Sequence, residues 1–271
     1  MDDERELREL DRILDALEED RADDALRLVQ RAVREPGPAD PVLHFLAGRA
    51  LLELDRVPEA LEHLLRAVDL DPDDPDYRSE LALAFYRSCR FEEARAHLDV
   101  VLATDPDRPD DVELDGRLLE RLGRFDEADL RYRRVHEMDG ERFPVPVRLS
   151  LDAFHATVAE AAERLPAEFR EHLDRVAVTV EDLPSDEILR DDEPPLDPDV
   201  LGLFVGVPLP EKTHHGPGGE LPPRILLFRR NLERIVADED VLRDEIAVTL
   251  YHELGHYLGL DEDELSEIDL D

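Results

Sequence analysis

"LDPDDPD" at residues 70–76 returns as "TDPDRPD" at 104–110, and that return decides how the first half of the chain folds. Asp71, Asp105 and Asp139 stand 34 residues apart, as do Ala60, Ala94 and Ala128. The stretches "RVPEALEHL" (56–64), "RFEEARAHL" (90–98) and "RFDEADLRY" (124–132) fill equivalent places. A unit of this length holds two helices. Small residues suit the points where they cross, and an Asp-Pro pair stops the second helix, because proline disfavours the helical conformation in the residue before it.

These landmarks resemble the tetratricopeptide repeat. Full units run over about 41–74, 75–108 and 109–142, and a degenerate unit over about 6–38 is marked by Ala25 and Ala32. The first full unit carries Gly48, Ala60, Ala67 and Pro72, and the second Ala82, Ala94 and Pro106. The third keeps Gly116 and Ala128, but Gly140 replaces the closing proline and Asp115 stands where an apolar residue is expected. The resemblance implies an all-α solenoid over 1–148, with a concave face for a peptide or partner protein. His44, His63, His97 and His136 fall at scattered repeat positions and read as surface or packing residues. Cys89 reads as a buried small side chain near a turn, since no neighbouring base would activate it.

Composition narrows the partners. Apolar residues make up 42% of the 271, enough for packed cores, while 71 acidic residues against 33 basic ones give a net charge of -38. All but one of the basic residues are arginine; the exception is Lys212. This balance excludes a phosphate-backbone ligand and disfavours an anionic membrane surface. One cysteine makes no disulfide framework, no run is long enough to span a bilayer, and "MDDERELRELDRIL" has no signal-peptide character. The expected location is the cytoplasm.

The 34-residue landmarks stop near 150. "SLDAFHATVAEAAERLPAEFREHL" predicts a helix capped by Ser150 and interrupted at Pro166. "RVAVTVED" (175–182) and "VLGLFVGVPLP" (200–210) predict strands, with an acidic, proline-rich loop between them. "RILLFRRNLERI" (224–235) predicts a third strand running into a turn or short helix. A final helix begins near Asp238 or Asp240 and stops at Gly259. The expected second domain, 149–271, is a small α/β (α+β) unit.

That final helix carries "YHELGHYLGL" (251–260). Residues four apart share a helix face, so His252 and His256 can aim both imidazoles at one ion. Glu253 can reach a water bound to that ion. Ile246, Leu250, Leu254 and Leu258, with Val248 and Tyr251 on the flanks, are expected to anchor the back of the helix. This HExxH pattern resembles the zincin motif. The fifteen residues after His256 are expected to be too few for a thermolysin-type ligand helix.

The longer pattern HExxHxxGxx(H/D) of the metzincin clan fits better, and the span 150–271 resembles minimal bacterial zincin-like metallopeptidases. The resemblance rests on "VAVTVEDLP" (176–184), "LGLFVGVPL" (201–209), "PPRILLFRRNLERI" (222–235) and "EIAVTLYHELGHYLGLDEDEL" (245–265). It implies Zn2+ held by His252, His256 and Glu262, with Glu253 as general base in peptide hydrolysis. Glu262 stands where the clan has histidine or aspartate. Asp261, Asp263, His215 and His214 are alternative third ligands. Tyr251 and Tyr257 read as packing groups. An extended substrate is expected along the edge formed by 224–229, with Arg229 and Arg230 exposed beside it. The alternative reading is a catalytically silent zincin-like protein whose repeats serve as an interaction module.

Overall fold

The computed structural model describes residues 2–32, 40–173, 175–191, 193–210, 222–261 and 264–265. The chain forms two compact units: Met1–Met138 with Asp186–Pro198, and Asp139–Ser185 with Asp199–Asp271.

The first unit is a stack of consecutive helix pairs. They are α1 (Asp2–Glu18) with α2 (Ala22–Ala32), α3 (Pro41–Glu53) with α4 (Val57–Leu70), α5 (Pro75–Arg87) with α6 (Phe91–Thr104), and α7 (Pro109–Arg121) with α8 (Phe125–Met138). The repeated motif both stops one helix and starts the next. Asp71 follows α4, while Asp74 caps α5 by accepting the N–H groups of Asp76 and Tyr77, and Pro75 opens the helix with φ already set. Ala60, Ala94 and Ala128 are fully buried. A Cβ on Gly48 would collide with Leu64 Cγ, so the Leu64 side chain of α4 sits directly on the Gly48 backbone of α3.

Each pair turns through one residue in the left-handed region: Asp20 (φ 54°), Asp55 (55°), Cys89 (57°) and Gly123 (70°). The next residue is always arginine, and its N–H reaches back into the helix: Arg21 to Ala16 O, Arg56 to Leu51 O, Arg90 to Phe85 O and Arg124 to Leu119 O. Those arginines pair three residues on with Asp24, Glu59, Glu93 and Glu127. The register therefore includes the degenerate first unit.

Helix α7 buries charge. Asp115 sits where a repeat expects an apolar residue and accepts from both Arg95 and Arg131. Asp111 accepts from Ser79 Oγ and Arg108 Nε, each at 2.6 Å, and Glu120 from Tyr132 at 2.9 Å. Buried carboxylates survive only when paired in this way. His44 and His63, apart in sequence, meet through Nδ1 at 3.2 Å, and burial lowers both pKa values.

The segment expected as a plain loop contributes to this unit. It forms the short α11 (Asp186–Leu189), whose Leu189 is fully buried. Arg121 pairs with Asp186 and Arg87 with Asp197. The Cys89 thiol donates to Leu196 O, and Arg190 donates to Cys89 O.

The second unit sets α9 (Leu151–Arg164), α10 (Ala167–Leu173), α12 (Arg229–Arg234) and α13 (Glu239–Leu258) around a sheet of β1 (Ala177–Glu181), β2 (Gly202–Val205) and β3 (Arg224–Phe228). Ser150 caps α9 and Pro166 separates it from α10. The strand order is β1-β3-β2, with β1 parallel and β2 antiparallel to β3. Phe154, Val158 and Ala161 of α9, Ile225 and Leu227 of β3, and Ile246, Leu250 and Leu254 of α13 share one core. Val248, expected on its flank, is half exposed.

Glu233 of α12 is fully buried and gathers the entry of this unit. Its carboxylate accepts the Leu149 N–H at 3.1 Å and faces Arg148 and Arg229, while its carbonyl accepts the Val147 N–H. Burial raises its pKa, and the Leu149 N–H and the arginines oppose that rise. No helix among the described residues is long and apolar enough to cross a membrane.

A Cβ on Gly123 would meet nothing within 4 Å, so Gly123→Ala isolates the strain of the left-handed turn. Urea unfolding of the full chain should show a loss of about 1 kcal/mol; an unchanged midpoint would contradict this account of the turns. A fragment of 139–271 should unfold cooperatively, whereas one of 150–271 should be weaker by about 2 kcal/mol, having lost the Leu149 N–H and Arg148 as partners of a buried carboxylate. Equal midpoints for the two fragments would show that 147–149 contribute nothing.

Candidate metal centre

Helix α13 is fixed at both ends. Asp238 caps it by accepting the Val241 N–H. Gly259 ends it at φ 88°, where its N–H bonds His256 O and the Leu260 N–H bonds Gly255 O. This reversal needs glycine, since a side chain at that φ is strained. Leu250 and Leu254 lie fully buried on the core face. Tyr251 packs on Phe169, and Tyr257 packs on Phe204 and His172, in keeping with packing roles.

His252 and His256 are partly exposed, with Nε2 atoms 3.0 Å apart and rings nearly perpendicular. Two imidazoles that face each other through Nε2 share either one proton or one cation. Nitrogens at tetrahedral zinc, each about 2.0–2.1 Å from the metal, stand roughly 3.3–3.4 Å apart. The separation here is close to that, so the pair fits a zinc ion with little adjustment. Among the described residues no group of three His, Cys, Asp or Glu side chains surrounds a common point. Glu262, Asp263, His214 and His215 lie outside the described residues.

After Gly259 the chain turns back. Asp261 Oδ1 accepts the Glu264 N–H at 2.9 Å, and Glu264 Oε2 accepts the Asp261 N–H at 3.1 Å, a reciprocal capping box. Leu265 is buried against Gly255, where an added Cβ would come 2.2 Å from Leu265 Cδ2. Gly255 lies between the two histidines in sequence. The exposed Asp261 carboxylate is engaged in capping this turn.

Glu253 is buried, and its Oε2 accepts the backbone N–H of Phe204 in β2 at 2.6 Å. Sequence patterns carry no signal for this contact, because the donor is main chain. Two expectations need correction. Strand β3 is central, paired on both sides by β1 and β2, so 224–229 offers no free edge; the edge strand beside α13 is β2. Arg229 and Arg230 are not exposed. The Arg229 side chain is 12% exposed and bound to Asp182, Leu149 O and Glu233, and Arg230 is likewise buried.

Comparison with known proteins agrees with both halves. A family described as zincin-like metallopeptidase matches residues 173–271, and the tetratricopeptide repeat matches 10–75 and 47–109. Solved structures similar to the chain include MamA AMB-1, 22% identical over 51% of this chain and 75% of that one, with a TM-score of 0.42. A thermophilic repeat protein of Thermus thermophilus is 24% identical over 50% of this chain and 75% of that one, with a TM-score of 0.44. MamA 41-end from Desulfovibrio magneticus RS-1 is 18% identical over 48% and 73%, with a TM-score of 0.42. Among curated proteins none matches.

Because Asp261 is occupied as a cap, Asp261→Ala should lower stability by about 1 kcal/mol yet leave zinc content unchanged. Elemental analysis of the purified variant decides the point; loss of zinc would make Asp261 a ligand.

Proposed function

We propose, from a chain that carries tetratricopeptide repeats over 10–109 followed by a zincin-like metallopeptidase domain over 173–271, that it is a zinc-dependent peptide hydrolase. The observation that carries this reading is the convergence of His252 and His256 through Nε2, 3.0 Å apart, on the helix that also bears buried Glu253. His252 and His256 would hold the metal, with Glu262 as third ligand. Support for Glu262 comes from its position six residues after His256 and from the return of the neighbouring Leu265 onto Gly255.

Bound zinc supplies Lewis acidity to a water molecule and to the scissile carbonyl. Glu253 takes a proton from the attacking water on its carboxylate and delivers it to the nitrogen of the departing amine. Its burial beside a hydrogen-bond donor keeps the carboxylate fixed while the proton moves. The repeats belong to a class of protein-interaction modules, and in this reading they bring a protein substrate or partner to the chain.

Two substitutions separate binding from chemistry. His252→Ala should lose stoichiometric zinc by elemental analysis. Glu253→Gln should keep zinc while cleavage of a mixed peptide library, read as new termini by mass spectrometry, falls at least about a hundredfold. Equal zinc in His252→Ala and wild type would overturn the metal assignment. A zinc-loaded wild type that cleaves nothing across the library would favour the silent interaction module.

A further inference from the structure

We propose that edge strand β2 is a positioning element for Glu253: the Phe204 amide orients its carboxylate, and Gly202 keeps the strand close enough to do so. This rests on the hydrolytic reading above, but its geometry stands apart from turnover.

In the ladder with β3, Phe204 faces Ile225 and Gly202 faces Leu227. Alternate residues of an antiparallel strand direct their N–H groups toward the partner strand and away from it. The N–H of Phe204 is directed away, since it goes to Glu253 on α13. On a sheet edge such a group has no strand to bind and takes water or a side chain instead. Here it meets a carboxylate at 2.6 Å, a charge-assisted bond of the stronger kind. With Oε2 held by the amide, the carboxylate is tethered to β2.

Gly202 lies two residues earlier and hence on the same side of the strand. Its φ is ordinary, so the glycine answers a demand for space. An added Cβ would stand 2.6 Å from Thr249 Cγ2 and 3.2 Å from Glu253 Cγ. Thr249 lies one helical turn before Glu253 and has little freedom to move aside. It is β-branched, and its hydroxyl donates to Glu245 O at 2.8 Å. A side chain at 202 must therefore lift the strand from the helix and take the Phe204 amide with it. Displacements of about 1 Å at a reacting group can lower rates by about a hundredfold.

The first test needs no substrate. On the zinc-loaded full chain, amide exchange at Phe204 is compared by NMR among wild type, Glu253→Gln and Glu253→Ala. Glutamine keeps an acceptor oxygen, so protection should fall only modestly there and by roughly tenfold or more in the alanine variant. Equal exchange in all three overturns the proposal. The second test reads Gly202→Ala on a cleaved peptide. The expectation is full zinc, KM within about twofold of wild type and kcat down about tenfold or more, with partial recovery in Gly202→Ala/Thr249→Ser, which removes the clashing methyl. Wild-type kcat in Gly202→Ala overturns the proposal. If that variant unfolds, the exchange comparison decides alone. A wild type that cleaves nothing while Phe204 protection depends on Glu253 sinks hydrolysis and leaves the clamp standing.

Discussion

Helices that pack against their own continuation must end abruptly, and among the described residues one left-handed residue does that five times. Asp20, Asp55, Cys89 and Gly123 turn the repeat pairs, and Gly259 turns the terminal helix. In each case an N–H just past the turn binds a carbonyl in the last helical turn, so the backbone is satisfied without a longer loop. Two of the five positions use glycine. Asp20 and Asp55 belong to a residue type that tolerates this conformation, and only Cys89 does not. The same device stacks the helices of one unit and, in the other, precedes the return of Leu265 onto Gly255.

Those histidines depend on a second convergence. A helix aims two imidazoles at one point by spacing alone, but the carboxylate between them has to be aimed by something else. Glu253 points around the helix toward β2, and the strand reaches it only because Gly202 carries no side chain. The aromatic ring of Phe204 packs on Tyr257 of the same helix, so strand and helix are joined by apolar contact as well as by hydrogen bond. The histidine-bearing and core-facing sides of α13 are thereby held in one register.

Much of this was legible in the residues. Period, small crossing residues and Asp-Pro stops predict the helix pairs, because each follows from a local backbone rule. The HExxH spacing and Gly259 predict the paired imidazoles and the stop behind them for the same reason. What stayed hidden was non-local. Asp115 reads as a fault in its repeat until Arg95 and Arg131, contributed by other helices, are seen to surround it. Arg229 reads as a surface charge because its partners, Asp182 and Leu149, lie far away in sequence. The central place of β3 is a matter of strand order, which hydrophobic alternation does not encode. The hold of Phe204 on Glu253 is main chain and has no letter at all.

Cys89 is the chain's single thiol, fully buried, with burial pushing its pKa up to about 11. At neutral pH almost none of it is thiolate, the form that attacks electrophiles. The native protein should therefore serve as a nearly cysteine-free background for chemical labelling. A cysteine introduced on an exposed helix would be alkylated alone, and a spectroscopic probe placed there would report one position. Slow reaction at Cys89 would in turn time the opening of the repeat stack, since that sulfur meets solvent only when the turn around it comes apart.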